Sequence, residues 1–208
     1  MKENPFFSVI LPVHNAEKYM RVGLDSVKSQ SFTDYELIII CDDCNDETRK
    51  IAKQYGDTVV RTTYARAGLA RNAGLDRARG KWILFMDDDD WWMRSTAFET
   101  IADNVGKEDE DILAFGFYWP TQGHMFNKPG HLFTAVWNKC WRRSFIEDHG
   151  FRFPDWKHSD DDGFSRLTHP KAKIAYLEEE LYYYNFMREG SLTWQIATGR
   201  LDGTIPGR

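Results

Sequence analysis

The chain has few cysteines, no long apolar run and no excess of basic residues, and each absence excludes a class of protein. Three cysteines among 208 residues are too few for a disulfide framework. No stretch approaches the roughly 18 apolar residues of a membrane span, and the apolar stretch near the N-terminus is too short for a signal peptide. A net charge of -5 argues against a nucleic-acid partner. With 42% apolar residues, the composition predicts one globular domain.

The two neighbouring cysteines, Cys41 and Cys44, form a C-x-x-C pair. No second pair or nearby histidine completes a zinc site, so we expect two free thiols at the end of a strand. Free thiols indicate a reducing, cytoplasmic setting.

Apolar and amphipathic segments alternate four times in the first 106 residues. This alternation predicts βαβ units and a mostly parallel sheet flanked by helices. The run YELIIIC is almost wholly apolar, which is typical of a strand buried on both faces. The predicted strands in this half are 6–13, 35–41, 58–62 and 82–86, and the predicted helices are 16–29, 46–55, 65–79 and 95–106.

Beyond residue 106 the pattern is less regular. It predicts strands at 111–117, 172–177 and 181–186, a short strand and a helix within 135–149, a helix at 163–169, irregular loops at 118–135 and 151–162, and a flexible tail at 196–208.

Four consecutive aspartates, residues 87–90, directly follow the apolar strand WILFM. Ligands of open α/β sheets bind beyond the carboxyl ends of the strands, so these carboxylates lie where a ligand is expected. Crowded carboxylates repel one another unless a cation neutralises them, and Mg2+ or Mn2+ is typically held by one or two carboxylates and substrate phosphates. The run therefore suggests a metal and diphosphate site. The alternative is a solvated acidic turn that caps the next helix.

Two further groups of aspartates lie next to predicted elements, one before a helix and one at the end of a strand. Asp160, Asp161 and Asp162 lie in the segment HSDDDGF, where one carboxylate could act as a general base on an acceptor hydroxyl. They could equally stabilise the start of a helix. Asp42 and Asp43 end the second strand, where they could bind a base or ribose, or cap the following helix.

Basic residues could complete an anion site. Arg66 and Arg71 flank the start of the third helix, where a helix N-terminus already favours anions. Arg188 follows an aromatic run and could bind a phosphate, with Ser191 as a hydroxyl donor. The alternative for each arginine is a solvent-exposed surface residue.

Taken together, these segments resemble glycosyltransferase family 2, whose members have the GT-A fold and invert the anomeric centre. The resemblance covers about residues 7–195 in family order. It is carried by SVILPVHNAEKYMRVGLDSVKSQSF, YELIIICDD, GLARNAGLDRARGKWILFMDDDDWW, WNKCWRRSFIEDHGFRFPDWKHSDDDGF and YYYNFMREGSL. It implies one GT-A domain over 1–195, with a nucleotide-binding half at 1–106 and an acceptor half at 107–195.

The resemblance also implies roles for individual residues. Asp161, preceded by Asp160, is similar to the family's general base, and Asp89 to the ligand of Mn2+ or Mg2+. The nucleotide-sugar contacts that it implies are Pro12, Val13, His14, Asn15, Asp42, Asp43, Arg71, Asp87, Asp88, Arg188 and Ser191.

Three departures from the family pattern affect these assignments. The turn DDCND is one residue shorter than the family's DDGSTD-like turn, so the uridine pocket is expected to be reshaped. Three aspartates replace the usual Glu-Asp pair, which leaves the base ambiguous among Asp160, Asp161 and Asp162. His14 replaces a common tyrosine.

The resemblance implies a metal-dependent transfer of a hexosyl or N-acetylhexosaminyl group from a UDP-sugar to a saccharide or lipid-linked saccharide in surface polysaccharide synthesis, at the inner face of the plasma membrane. One alternative is a catalytically inactive GT-A domain that binds a sugar nucleotide or a partner. A sugar-1-phosphate nucleotidyltransferase is disfavoured, because LPVHNAEKY lacks the glycine-rich phosphate loop of that class.

Overall fold

A computed structural model describes residues 4–186 and 188–201. The fold is built on one curled mixed sheet with the strand order β3-β2-β1-β4-β8-β6-β9-β5, and β7 pairs with β6 outside that path. The strands are β1 Phe7–Val13, β2 Tyr35–Asp42, β3 Thr58–Thr62, β4 Trp82–Phe85, β5 Trp91–Trp92, β6 Ile112–Trp119, β7 Gly123–Met125, β8 Lys139–Arg142 and β9 Ile174–Tyr183.

Helices cover both faces of the sheet. They are α1 Met20–Lys28, α2 Thr48–Tyr55, α3 Ala67–Leu75, α4 Ala97–Asn104, α5 Arg143–Asp148, α6 Asp160–Thr168 and α7 Leu192–Ala197, and a 3-10 helix spans His169–Lys171. In the described part of the chain, no helix combines the length and the apolar character needed to cross a bilayer.

The first four strands confirm the predicted parallel arrangement. β1 pairs in parallel with β2 on one side and β4 on the other, and β2 pairs in parallel with β3. β8 then runs antiparallel to both β4 and β6, so the second half makes the sheet mixed. Since parallel neighbours end at the same edge, the loops after β1, β2 and β4 meet at one edge of the sheet.

Side chains alternate between the two faces of the sheet and form one apolar core on each side. Val9, Leu11 and Leu37 belong to one core, whereas Ile10 and Ile38 belong to the other. This two-sided burial is the reason that the strands are continuous apolar runs. It also fixes the position of the polar residues that follow each strand, at the edge where burial ends.

All four helices predicted in the first half are shorter in the structure, and the difference is largest for α1 and α3. α1 begins at Met20, because residues 16–19 form a turn whose Ala16 carbonyl accepts hydrogen bonds from the amides of Tyr19 and Met20. α3 ends at Leu75, and Gly80 does not terminate it as predicted. Instead, Gly80 lies so close to the backbone of Ser8 that an added Cβ would be 2.4 Å from the Ser8 amide nitrogen.

Other predictions for the second half were wrong in detail. The 118–135 segment is not wholly irregular, because β7 forms a hairpin with β6. The predicted strands 172–177 and 181–186 are one strand, β9, whose three glutamates lie at an irregularity in its pairing with β6. β5 and α7 were not predicted. The predicted tail 196–208 begins inside α7, and residues 202–208 lie outside the described residues.

The prediction of two free thiols at Cys41 and Cys44 was also wrong. The structure joins them in a disulfide with a Cα–Cα distance of 5.8 Å. Asp43, between them, has a φ of 50°, and this left-handed residue turns the chain back so that the two side chains meet. Among the described residues, Cys140 is the free cysteine, and it is buried.

Candidate active site

The loops after β1, β2 and β4 are tied together by His14. Its backbone amide donates to Oδ2 of Asp88 at 3.3 Å, and its Nδ1 lies 2.8 Å from the carbonyl oxygen of Asp42. Pro12 is half-buried and Val13 is buried at the end of β1, whereas His14 and Asn15 are exposed. The structure therefore brings these four predicted residues to the edge where the aspartates lie.

Asp42 and Asp43, although adjacent, differ in their surroundings. The buried Asp42 carboxylate accepts hydrogen bonds from the Thr62 hydroxyl and from the amides of Tyr64 and Arg66, at 2.7–3.0 Å. These bonds fix the loop that leads into α3. Asp43 is half-buried in the turn closed by the disulfide, and the structure gives its carboxylate no such set of donors. The nucleotide contact predicted for each of these two aspartates stays a prediction.

The aspartates after β4 are held in an environment that disfavours their charge. Burial raises the pKa of Asp88 well above its ordinary value, and repulsion from Asp89 adds to this rise. Burial and then repulsion from Asp87 also raise the pKa of Asp89, against the opposing effect of Arg188. Asp90 is fully buried and its pKa is raised well above normal by burial and by Asp87 and Asp89. A cation at this loop would relieve the repulsion.

Asp90 supports the loop instead of facing the site. Its Oδ1 accepts a hydrogen bond from the Asn185 amide at 2.8 Å, which connects the aspartate loop to the segment after β9. Its Oδ2 is buried without a hydrogen-bond partner.

Arg188 binds to this loop from the segment after β9. Its Nε donates to Oδ2 of Asp89 at 2.8 Å, and its guanidinium lies 3.8 Å from the centre of the Tyr19 ring. Burial opposes the charge of Arg188, but Asp89 outweighs this effect and raises its pKa. Ser191 caps α7 by accepting a hydrogen bond from the Trp194 amide at 3.2 Å, so its own O–H remains available to donate.

Arg71 connects the two acidic clusters. Its Nη2 is 2.6 Å from Oδ1 of Asp87, while its Nη1 is 2.5 Å from Oδ2 of Asp160 and 3.4 Å from Oδ1 of Asp161. The side chain is 5% exposed, so the guanidinium is enclosed by carboxylates. Three carboxylates of the protein thus hold the guanidinium in place, and the predicted base or phosphate contact of Arg71 stays a prediction.

The second acidic cluster lies in the first turn of α6, not in a loop as predicted. Asp160 is buried against Arg71, and Asp162 pairs with Arg166 one helical turn later at 2.8 Å. Asp161 accepts a hydrogen bond from the Val136 amide at 3.1 Å and keeps 22% of its side chain exposed. Burial raises the pKa of Asp161 to about 7, Arg71 partly offsets that rise, and Asp160 adds to it.

Sequence reasoning missed three residues that support the site. The buried Tyr182 hydroxyl accepts a hydrogen bond from the Asp87 amide at 3.0 Å, and Tyr19 lies under Arg188. Lys139 is fully buried behind the second acidic cluster. A lysine between two tryptophans in the segment WNKCW is a signal that could have indicated a buried charge.

The aspartates after β4 fit a divalent cation that prefers oxygen ligands. Asp89 and its neighbours offer carboxylate oxygens, which Mg2+ and Mn2+ prefer. In residues 4–186 and 188–201, no preassembled group of three or more such ligands is found. The donor set therefore suits an ion that takes one or two protein carboxylates and completes its coordination with diphosphate oxygens and water.

Comparison with known proteins identifies relatives of this site. Residues 8–175 match the family model described as Glycosyl transferase family 2. EpsH of Bacillus subtilis (strain 168) is 30% identical over 210 residues, covering 88% of this chain and 61% of EpsH. The poly(ribitol-phosphate) beta-N-acetylglucosaminyltransferase TarS of Staphylococcus aureus (strain Mu50 / ATCC 700699) is 28% identical over 209 residues, covering 88% of this chain and 36% of TarS. The chain thus spans less than two thirds of either relative.

Solved structures confirm the predicted GT-A fold. TarS 1-349 of S. aureus in complex with UDP-GlcNAc superposes with a TM-score of 0.81 at 25% identity, covering 90% of this chain and 60% of that chain. The mannosyltransferase PcManGT from Pyrobaculum calidifontis, in complex with GDP-Man and Mn2+, superposes with a TM-score of 0.73 at 16% identity, covering 98% of this chain and 66% of that chain.

Proposed function

The chain belongs to glycosyltransferase family 2, and we propose on that premise that it transfers a sugar from a UDP-sugar to an acceptor hydroxyl with inversion at the anomeric carbon. The UDP-GlcNAc complex of TarS supports a uridine nucleotide as the donor. The acceptor that we propose is a saccharide or lipid-linked saccharide used in surface polysaccharide synthesis. The relative TarS, a poly(ribitol-phosphate) beta-N-acetylglucosaminyltransferase, supports an acceptor of the cell envelope.

The observation that carries this proposal is the Arg71 bridge. One guanidinium contacts Asp87 of the donor-side cluster and both Asp160 and Asp161 of the second cluster. A guanidinium is small, so the two clusters lie on opposite sides of a single group. Inverting transfer needs this proximity, because the base must deprotonate the acceptor while the diphosphate leaves from the opposite side of the sugar.

Asp161 is the general base in this proposal. A base works best when its pKa lies near the working pH, and burial raises the pKa of Asp161 to about 7. Asp161 also keeps part of its surface exposed, whereas Asp160 is buried on Arg71 and Asp162 is paired with Arg166. Among the three aspartates, Asp161 is thus the one that can both reach an acceptor hydroxyl and take its proton.

Negative charge develops on the departing nucleotide diphosphate. Arg188 could move from Asp89 to a diphosphate oxygen, and Ser191 could donate its hydroxyl proton beside it. Such preformed donors act where charge develops and so lower the barrier. Asp89 would hold a Mg2+ or Mn2+ ion, which when bound supplies a positive charge that neutralises the diphosphate.

The nucleoside would occupy the edge formed by the first two strands. The segment of Pro12, Val13, His14 and Asn15 lies beside the turn that carries Asp43, and Asn15 Oδ1 accepts a hydrogen bond from the Asn45 amide at 2.8 Å. We propose that Asp43 accepts a hydrogen bond from the uracil and that Asp88 meets the ribose. Asp42 then acts by fixing the loop. A peripheral position at the inner face of the plasma membrane is part of this proposal for lipid-linked acceptors.

The test is sugar transfer by wild-type protein and by two neighbouring aspartate variants, each assayed with a panel of UDP-sugars and saccharide acceptors. D161N is expected to lower kcat by about 10²-fold or more, the usual contribution of a general base. D162N is the matched control, because it removes a carboxylate from the same helical turn that is paired with Arg166. Near-normal turnover by D161N, or an equal loss in D162N, would contradict the assignment of the base.

A further inference from the structure

A buried lysine, Lys139 at the start of β8, lies behind the proposed base. Within the described part of the chain, no carboxylate forms a direct ion pair with it. Its ammonium donates to the carbonyl oxygens of Phe133 at 2.7 Å and Ala135 at 2.5 Å, and to Oδ1 of Asn138 at 2.8 Å. Three acceptors match the three N–H donors of a charged lysine, whereas a neutral amine has only two. The geometry therefore favours a positive charge at a fully buried position.

One peptide group connects this charge to the base. The carbonyl of Ala135, which accepts from Lys139, and the amide of Val136, which donates to Oδ2 of Asp161 at 3.1 Å, belong to the same peptide unit. In a trans peptide the C=O and the N–H point in opposite directions. A cation on the oxygen side and a carboxylate on the hydrogen side thus both align with the peptide dipole and strengthen each other.

The charge balance of the cluster indicates why a second cation near Asp161 matters. Arg71 is one cation against three carboxylates, Asp87, Asp160 and Asp161. Burial lowers the pKa of Lys139 to about 7, and its interaction with Asp161 opposes that effect. Its three acceptors favour the charged form, in which Lys139 supplies a second positive charge to the cluster.

We propose that Lys139 is a positioning residue that acts on Asp161 through the Ala135–Val136 peptide group, orienting the carboxylate and stabilising its negative charge. This inference rests on the proposed function, because it gives Asp161 the role of general base. The alternative is a structural role, in which Lys139 only anchors residues 133–135. An anchor would stabilise the segment without changing the protonation of Asp161.

The surrounding groups define what a pH experiment can report. Asp161 faces Arg71, Asp160 and Asp87 as well as Lys139. Lys139 also faces His169, whose pKa is lowered to about 3 by burial and by this lysine. His169 is therefore neutral throughout the working range, whereas the pKa values of Asp161 and Lys139 both lie near 7, so the titration of Asp161 has to be read from its own signal as well as from activity.

The experiment compares the pH dependence of kcat/KM in wild type, K139M, K139R and S165A. The Ser165 hydroxyl also anchors the same segment, through the Thr134 carbonyl at 2.6 Å, but it carries no charge, so S165A is the matched control. K139M is expected to move the acid limb of the profile upward by about one pH unit, as loss of a nearby opposite charge does. K139R should restore part of the shift, and S165A should leave the limb in place. The KM for the UDP-sugar is expected to stay unchanged.

A second measurement separates this inference from the proposed function. Carboxyl 13C NMR titration, with the Asp161 signal assigned from D161N, gives the pKa of Asp161 directly in wild type and K139M, even in protein that transfers no sugar. Inactive wild type would contradict the proposed function alone. A folded K139M whose Asp161 titrates as in wild type, or an equal shift in S165A, would overturn the role of Lys139.

A further variant covers the case in which K139M does not fold. Asn138→Asp is nearly isosteric and loses no hydrogen bond, because Asn138 Nδ2 is buried without a partner. Its new carboxylate would lie on the Lys139 ammonium and offset that charge. The titration of Asp161 is expected to move upward in N138D as well, and an unchanged Asp161 titration would overturn the proposal.

Discussion

Replacing Arg71 with methionine is expected to destabilise the protein more than any surface arginine replacement. Methionine keeps much of the apolar bulk but removes the guanidinium that contacts both acidic clusters. Asp87, Asp160 and Asp161 would then face one another without the guanidinium. Removing one partner of a buried ion pair typically costs about 3–5 kcal/mol in the free energy of unfolding, because a buried charge is left unpaired.

The loss of stability in R71M should depend on pH, and the pKa of Asp161 determines whether the loss grows or shrinks as the pH rises. The pKa of Asp161 is raised from 3.8 to about 7 in the folded protein, so this group stabilises the fold fully below about pH 4 and loses that contribution as the pH rises through 7. Arg71 lowers the pKa of Asp161, so R71M raises that pKa further. The destabilisation by R71M should therefore be larger near pH 8 than near pH 5.

Urea unfolding of R71M and R152M at both pH values measures these differences. Arg152 pairs with Asp76 at 3.2 Å, but the two side chains are 43% and 58% exposed. Such a pair is worth about 1 kcal/mol or less, so R152M controls for loss of an arginine. A loss in R71M no larger than that in R152M, or one that shrinks as the pH rises, would refute the bridging role of Arg71.

Three other predictions concern the chemistry and the loops of the site. The kcat/KM of wild type should rise with pH up to about 7 and then level off, because Asp161 must be ionised to act; a profile that falls over this range would exclude it as the base. Y182F should weaken UDP affinity in calorimetric titration and lower stability by about 1–3 kcal/mol, since the Asp87 amide loses its buried acceptor. Peptide mapping without reduction should recover Cys41 joined to Cys44, and C44S should weaken UDP binding by releasing the turn that carries Asp43; two alkylated cysteines in native protein would contradict this.

The parallel half of the fold could be predicted because its signals are local. Three of the first four strands, β1, β2 and β4, are largely apolar runs followed by polar residues, and the cores on both faces of the sheet demand that pattern. β9 was split into two strands because Glu178, Glu179 and Glu180 interrupt its apolar residues. Its tertiary pairing with β6 determines the strand there, and that pairing leaves no local signal.

The candidate site could be predicted in its residue types but not in its pairings. The aspartate runs and Arg71 stood out in the sequence, yet the bridge between Asp87 and Asp160 depends on where α3 and α6 pack. The disulfide was missed because the left-handed backbone conformation of Asp43 brings the two cysteines together. An aspartate in the sequence does not by itself indicate that conformation. Lys139 was missed because two of its three hydrogen-bond partners are backbone carbonyls, which every sequence possesses.

The most direct test of the site is calorimetric titration of the protein with UDP, with GDP and CDP as controls, in the presence and absence of Mn2+. If the aspartates after β4 hold a metal and a nucleotide diphosphate, UDP should bind tightly only when Mn2+ is present, GDP and CDP should bind more weakly, and D89N should abolish the effect of the metal. Failure of all three nucleotides to bind with Mn2+ present, or UDP binding of equal strength in D89N, would contradict this account.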